Sequence, residues 1–234
     1  RLIAMSEGLR QRLVERTGKP DAQVAVIPQY CEDFYAIPQP DEALNAQFAG
    51  RFNLVFTGNF SPAQSLETVI RAAVQAHRQG ADRLHLLLVG DGMSRPALET
   101  LVDELNARDV VTFYGSVPPT RIPAFTALAD ALVVSLSDSP DLGLTVPAKV
   151  ASYMAASKPM LASMDGEGRA AVEQAGCGWA SAACDVDALA QNMQAACSAD
   201  LAQRKALGER AFAYYRAHYR RRELLTRLEE FILG

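Results

Sequence analysis

The sequence predicts an α/β chain built on a doubly wound parallel sheet. Three observations predict it. Strand and helix patterns alternate from Asn53 onward. The strand segments are continuous apolar runs, as expected when both faces of a sheet are covered. Glycine falls within the first three residues of the loops after four of the first five strands of this region. Alternation of this kind gives a parallel sheet with right-handed crossovers.

Taken in order, Arg1–Met5 reads as the end of a strand. Ser6 is placed to cap a short helix over Gly8–Arg16, which Gly18 closes. Val24–Ile27 is a short strand ended by Pro28. Gln29–Arg51 carries prolines and acidic residues without a period and reads as a linker. The unit before the linker is too small to be a domain, so Arg1–Pro28 is expected to be the tail of one. The strands of the sheet are expected at Asn53–Thr57, Leu84–Val89, Val110–Tyr114, Ala131–Leu136, Pro159–Ser163 and Gly178–Ala182. Helices are expected between them at Ser65–Gln79, Arg95–Ala107, Thr120–Ala129, Pro147–Ala156 and Gly168–Ala175. In the first of these, Leu66, Val69, Ile70, Ala73 and Val74 share one face at helical spacing. The chain ends in helices over Asp185–Ser198, Leu201 to His218 and Arg222–Leu233. The expected divisions are 1–50, 51–212 and 213–234.

Composition narrows the function. The chain is 49% hydrophobic and 21% charged, which is ordinary for a globular core. Its formal charge of −4 argues against general nucleic-acid binding, which needs a basic face. Cys31, Cys177, Cys184 and Cys197 form no C-x-x-C pair, and with only three histidines no zinc pattern arises. The cysteines read as idle thiols of a reducing compartment. No apolar run is long enough to span a membrane. Arg216, Arg220, Arg221 and Arg222 form a small basic cluster, read as a solvated face or as a contact with membrane headgroups.

In a doubly wound sheet, ligands bind beyond the C-terminal strand ends. The stretch Leu142–Met154 stands at such an end. It runs from a buried strand through a loop into a helix whose first turn contains Pro147 and Lys149. Free amides and the positive end of the helix dipole make an anion site there. A lysine in that first turn is locally unfavourable unless a phosphate neutralises it. The same pattern also fits a solvated lysine on an ordinary βα unit. Sequences for a G-x-G-x-x-G fingerprint, a Walker A loop and a G-x-S-x-G elbow are absent. Carboxylates near the strand ends are Asp138, Asp141, Asp165 and Glu167, of which Asp138, Asp141 and Glu167 are the catalytic candidates.

With these residues in hand, the chain resembles the C-terminal, donor-binding half of GT-B glycosyltransferases of family 4. The matching pieces are Thr57-Gly58-Asn59, Leu88–Gly92, Val111–Gly115, Ala129–Val133, Pro147-Ala148-Lys149 and Tyr153–Pro159. They occur in order and span nearly the whole chain. The Leu144–Lys149 form is most similar to a bacterial subgroup that assembles surface polysaccharides, including amino-deoxysugar transferases. The resemblance implies a Rossmann-like domain over 51–212, a remnant of the acceptor domain and hinge over 1–50, and terminal helices over 213–234 crossing back toward that domain.

It further implies a retaining transfer of a hexosyl or N-acetylhexosaminyl group without a metal. The donor is a nucleotide diphosphate sugar, UDP-linked, and the acceptor a saccharide or lipid-linked precursor. The expected location is cytoplasmic, at the inner face of the membrane. Donor contacts fall on Gly58, Asn59, Gln64, Gly90, Gly115, Val117, Pro118, Leu144, Thr145, Val146, Lys149 and Ser152. Gly58 and Asn59, with amides from Thr145 to Lys149, would face the diphosphate, and Gly115–Pro118 the base. The sequence departs from the family at Leu144 and Ser152, where two glutamates are usual, and at Asn59 and Gln64 in a loop where Arg and Lys are usual. Two other readings remain open: a sugar-nucleotide epimerase or hydrolase on the same fold, and a non-catalytic nucleotide-binding domain. With the acceptor domain represented only by its end, the chain alone is expected to bind nucleotide without transferring sugar. The Tyr215–Tyr219 segment is expected to expose apolar surface and favour self-association.

Overall fold

The computed structural model describes residues 1–234. The chain begins with β1 (Leu2–Ala4), α1 (Glu7–Thr17) and β2 (Val24–Val26). β1 and β2 pair in parallel, Leu2 opposite Val24 and Ala4 opposite Val26. Ser6 caps α1, its Oγ accepting the Leu9 N–H at 3.2 Å.

The next segment corrects the reading of Gln29–Arg51 as a bare linker. It forms a 3₁₀ turn over Asp33–Ala36 and then α2 (Glu42–Gln47), which Asp41 caps. Cys31, Leu44 and Phe48 are buried with the core of the sheet domain. Elements of one or two turns that bury only one or two side chains leave no period in a sequence.

The sheet domain follows as β3 (Phe52–Thr57), α3 (Leu66–Arg78), β4 (Leu84–Val89), α4 (Arg95–Glu104), β5 (Val111–Gly115), α5 (Ile122–Leu128) and β6 (Ala131–Ser135). It continues as α6 (Pro140–Gly143), α7 (Ala148–Ala155), β7 (Met160–Ser163), α8 (Gly166–Ala175), β8 (Gly178–Ser181) and α9 (Val186–Ser198). α10 (Leu201–His218) and α11 (Arg221–Leu233) complete the chain. The six strands from β3 onward form one parallel sheet in the order β5-β4-β3-β6-β7-β8. β3 and β4 run in register from Phe52 opposite Leu84 to Thr57 opposite Val89.

Why the strands are continuous apolar runs is visible in the packing. Leu54, Phe56, Leu86, Leu88, Ala131 and Val133 point to one face, against α3, α4 and α9. Val55, Leu87, Val89, Leu132 and Val134 point to the other, among side chains of α2, α5, α7, α8 and α10. Each buried Leu, Val or Phe contributes about 2 kcal/mol relative to exposure. The expected fold class is therefore the observed one: a doubly wound α/β sheet.

The expected apolar surface at Tyr215–Tyr219 is not found. Tyr215 and Tyr219 are 3% and 4% exposed. They pack in the layer that holds Cys31, whose N–H donates to the Tyr219 carbonyl at 3.3 Å. The segment taken for a linker covers them, so self-association through this patch has no basis. Exposed apolar side chains lie instead at Ile3 and Met5, and at Ile232 and Leu233 on α11. α11 runs beside the small sheet: Arg227 Nη2 donates to the Val26 carbonyl at 3.0 Å, and Arg1 donates to the Phe231 carbonyl.

Candidate functional site

The strand order places a switch point between β3 and β6. From β3 the chain moves outward through β4 and β5, then returns to add β6 on the other side. Beyond the C-terminal ends of that pair, the two loops diverge and leave a crevice. The loop after β3 begins at Gly58. The loop after β6 leads through α6 to the N-terminus of α7.

The loops after β3, β4 and β5 brace one another through backbone. The Gly58 N–H donates to the Val89 carbonyl at 2.9 Å, and the Gly90 N–H to the Gly115 carbonyl at 2.9 Å. Gly90 has φ +141°, and a Cβ there would stand 1.9 Å from the Gly58 carbonyl oxygen. Only glycine permits this approach. Tyr153, buried on α7, holds the end of β3 by accepting the Thr57 N–H at its hydroxyl at 2.8 Å.

Lys149 is the second residue of α7, and its side chain turns inward. Nζ donates to Gln64 Oε1 at 2.9 Å and lies 4.9 Å from the centroid of the Phe56 ring. A Cβ on Gly58 would stand 2.7 Å from Lys149 Cε, so the room beside Gly58 is filled by this lysine. No carboxylate faces it, and burial alone pushes its ammonium down to about 8. This is not the solvated lysine of an ordinary βα unit. A cation held by a neutral amide and an aromatic face is short of an anion.

The start of α7 adds to that shortage. Pro147 is the N-cap rather than the first helical residue, and no side chain caps the helix. The Val150 N–H returns to the Pro147 carbonyl at 2.9 Å, which leaves the amides of Ala148 and Lys149 without acceptors. The Thr145 amide, expected to serve the same anion, is instead used within its own turn, donating to the Leu142 carbonyl at 3.0 Å.

Around this corner lies a cleft with two adjoining lobes. The larger, about 580 Å³, has walls that include Tyr30, Glu32, Tyr35, Gly58, Lys149 and Ser152. The smaller, about 240 Å³, is walled by Gly58, Asn59, Gly90, Asp91 and Val117 among others. Of the sequence-derived donor contacts, Gly58, Asn59, Gly90, Val117, Lys149 and Ser152 therefore meet, and Gln64 joins them through Lys149. Gly115, Pro118, Leu144, Thr145 and Val146 line neither lobe.

The three carboxylates considered for catalysis also lie outside the cleft. Asp138 is exposed in the loop after β6. Asp141 is ion-paired with Arg12 of α1. Glu167 accepts the Gly8 N–H at 2.8 Å. With Ser6 donating to the Leu144 carbonyl, these contacts fasten α1 to α6, to the residue after it and to the start of α8. Sequence reading had no means of seeing that a distant helix takes up these acids, because the partners are more than a hundred residues apart.

What sequence reading missed is the wall opposite the strand ends. Gln29, Tyr30, Cys31, Glu32 and Tyr35 all line the larger lobe. The available signal was the concentration of aromatic residues at Tyr30, Phe34 and Tyr35 between prolines, which is unusual for a solvated linker.

Comparison with known proteins bears on this geometry. The family model for glycosyl transferases group 1 matches residues 51–199. A probable glycosyltransferase, WbjE of Pseudomonas aeruginosa, is 26% identical over 211 residues, covering 86% of this chain and 50% of that protein. An alpha-D-kanosaminyltransferase of Streptomyces kanamyceticus is 32% identical over 111 residues, covering 45% of this chain and 28% of that protein. Among solved structures, Anabaena HepE in complex with UDP and glucose superposes with a TM-score of 0.82 at 19% identity, covering 98% of this chain and 62% of that one. The chain thus spans half the length of WbjE and less of the kanosaminyltransferase.

Proposed function

The chain belongs to group 1 of the glycosyl transferases, and from that membership we propose that it is the donor-binding part of a retaining, family 4-like enzyme. The donor is a nucleotide diphosphate sugar, UDP-linked and of hexosyl or N-acetylhexosaminyl type. The acceptor is a cell-surface polysaccharide or lipid-linked precursor. The observation that carries this reading is Lys149: a half-buried cation without a carboxylate, beside two open amides, at the switch point of a parallel sheet. The solved complex of HepE with UDP and glucose supports it by analogy of fold, and the kanosaminyltransferase by its activity as a glycosyl transferase.

In this reading the bond between the sugar and the diphosphate breaks, and negative charge gathers on the departing phosphate oxygens. The Lys149 ammonium and the amides of Ala148 and Lys149 stand preorganised to take that charge. A metal has no part in the scheme, and chelator is expected to leave nucleotide binding by this chain unchanged. The acceptor is assigned to the portions of the longer relatives that this chain does not match, so the chain alone binds donor without transferring. No helix is long and apolar enough to cross a membrane. Contact with the inner membrane face is assigned to Arg216 and Arg222, which are exposed. The epimerase or hydrolase reading loses ground because Asp141 and Glu167 are engaged by α1.

The test is a thermal-shift screen of UDP, GDP, ADP and their sugars against this chain. A ligand at a hundred times its dissociation constant stabilises by about 2.7 kcal/mol, and UDP and UDP-sugars are expected to give the largest shift. A flat response to every nucleotide overturns the reading. A shift with no transfer to a lipid-linked acceptor extract is expected for this chain. Transfer by this chain alone would show that the acceptor site lies within it.

A further inference from the structure

A nucleotide diphosphate presents three kinds of group to a protein: phosphate oxygens, a base and the ribose hydroxyls. Lys149 and the α7 amides suit the phosphates. The hydroxyls are donors, and two adjacent hydroxyls are best met by a carboxylate, which accepts at both oxygens. Only two carboxylates line the cleft, Glu32 and Asp91. Asp91 is committed at both oxygens: Oδ1 accepts the Gly92 N–H at 2.8 Å, and Oδ2 pairs with Arg95 at 3.1 Å.

Glu32 differs. Its Oε2 accepts from Arg221 Nη1 at 3.1 Å, and its Oε1 takes part in no hydrogen bond. Arg221 is itself fixed, its guanidinium lying 5.4 Å from the centroid of the Tyr30 ring. The Glu32 backbone is held as well, its carbonyl accepting the Tyr35 N–H at 3.1 Å. One oxygen of this carboxylate is thus anchored and the other is free, in a wall that faces the lobe containing Lys149 and Ser152.

We propose that Glu32 is the hydroxyl acceptor of the cleft and that its carboxylate binds the ribose diol of the donor. The proposal deepens the nucleotide-diphosphate reading and rests on it. It assigns a substrate-positioning residue to the segment between β2 and α2, and it makes α11, through Arg221, a support of the donor site. Hydroxyl bonding to a charged acceptor favours the ribonucleotide over its 2′-deoxy form by about tenfold.

The experiment is calorimetric titration of the chain with UDP, GDP and ADP, then with the 2′-deoxy form of the tightest binder. The wild-type chain is expected to prefer the ribonucleotide by about tenfold, and Glu32→Gln to bring that preference to within about twofold. Glu32→Asp, which keeps the charge but withdraws it by one methylene, is expected to fall between them. A general loss of fold would weaken both nucleotides alike, and only loss of the diol contact closes the gap between them. An undiminished preference in Glu32→Gln overturns the proposal, as does a wild-type chain that binds both forms equally. A wild-type chain that binds no nucleoside diphosphate overturns the donor reading itself, and this proposal with it.

Discussion

The two ends of the sheet treat their polar groups in opposite ways, and two lysines make the contrast plain. At the N-terminal end, Lys158 Nζ donates to the carbonyls of Ala127 and Ala129 at 2.8 and 2.7 Å. Nearby, Asp130 accepts the Asn53 N–H at 2.9 Å, and His85 bridges Asn53 and Thr112. At the C-terminal end, Lys149 has one amide oxygen and a ring face, and two amides of α7 have nothing. Both ammonium groups are pushed down by burial. The N-terminal end answers that cost with acceptors from its own chain. The C-terminal end leaves it unanswered, as the proposed donor site requires. Closed polar networks at one end stabilise the fold, and the open ones at the other are those proposed to take an anion.

The contrast breaks most directly at Lys149. Lys149→Ala is expected to weaken UDP binding by several hundredfold, about 3–4 kcal/mol, since it removes the cation proposed to face the phosphates. Thermal unfolding without nucleotide should change little or rise, because a poorly solvated charge is removed. Unchanged UDP affinity by calorimetry would remove the phosphate role.

The next largest effect belongs to the closed end. Burial holds His85 down to about 4, against an ordinary value of 6.5. The folded state keeps the ring neutral where the unfolded chain would take up a proton. Its contribution is therefore full above pH 6.5 and is lost as pH falls toward 4. The loss is on the order of 2–3 kcal/mol. Urea unfolding between pH 7 and pH 4 should show it, and His85→Gln should flatten that slope.

Lys158→Ala should cost about 2 kcal/mol of stability by leaving two carbonyls unpaired, with nucleotide affinity within about twofold of wild type. An equal loss of affinity would mean that the two ends of the sheet are coupled. Smaller still, UDP affinity should fall as pH rises through about 8, where Lys149 loses its charge. The slope approaches tenfold per unit until the pKa of the bound lysine is passed. Lys149→Arg should abolish that slope. Least of all, Glu167→Gln should lower stability by under about 1 kcal/mol and leave UDP binding unaltered, because Glu167 serves α1. A large loss of affinity there would restore Glu167 to the site.

The open end was the more legible of the two. The apolar runs of β3, β4 and β6 and the face of α3 carry the sheet in plain periodicity, and glycine at the strand ends marks the edge where the cleft lies. Lys149 stood out as a charge of the wrong sign at a helix start. That it turns inward was not legible, because the turn depends on Phe56 of β3 and Gln64 of the loop after it. Glu167 and Asp141 misled for the same reason: Gly8 and Arg12, their partners, lie far off in the chain. The wall from Gln29 to Tyr35 was hidden most completely. A 3₁₀ turn has too few residues to show a period, and its burial comes from α7 and from Tyr215 and Tyr219.

The approach of Gly90 to the Gly58 carbonyl carries a lesson for anyone who would redesign this protein. A library that randomises the whole rim would discard most of its members at those two positions, where a larger residue at Gly90 collides with the Gly58 backbone and one at Gly58, at φ +137°, collides with the Lys149 side chain. The productive diversity lies across the gap, at Gln29, Tyr30 and Val117, whose side chains line the larger lobe. The molecule thus comes already divided into a chassis that tolerates no editing and a facing panel on which new recognition can be written.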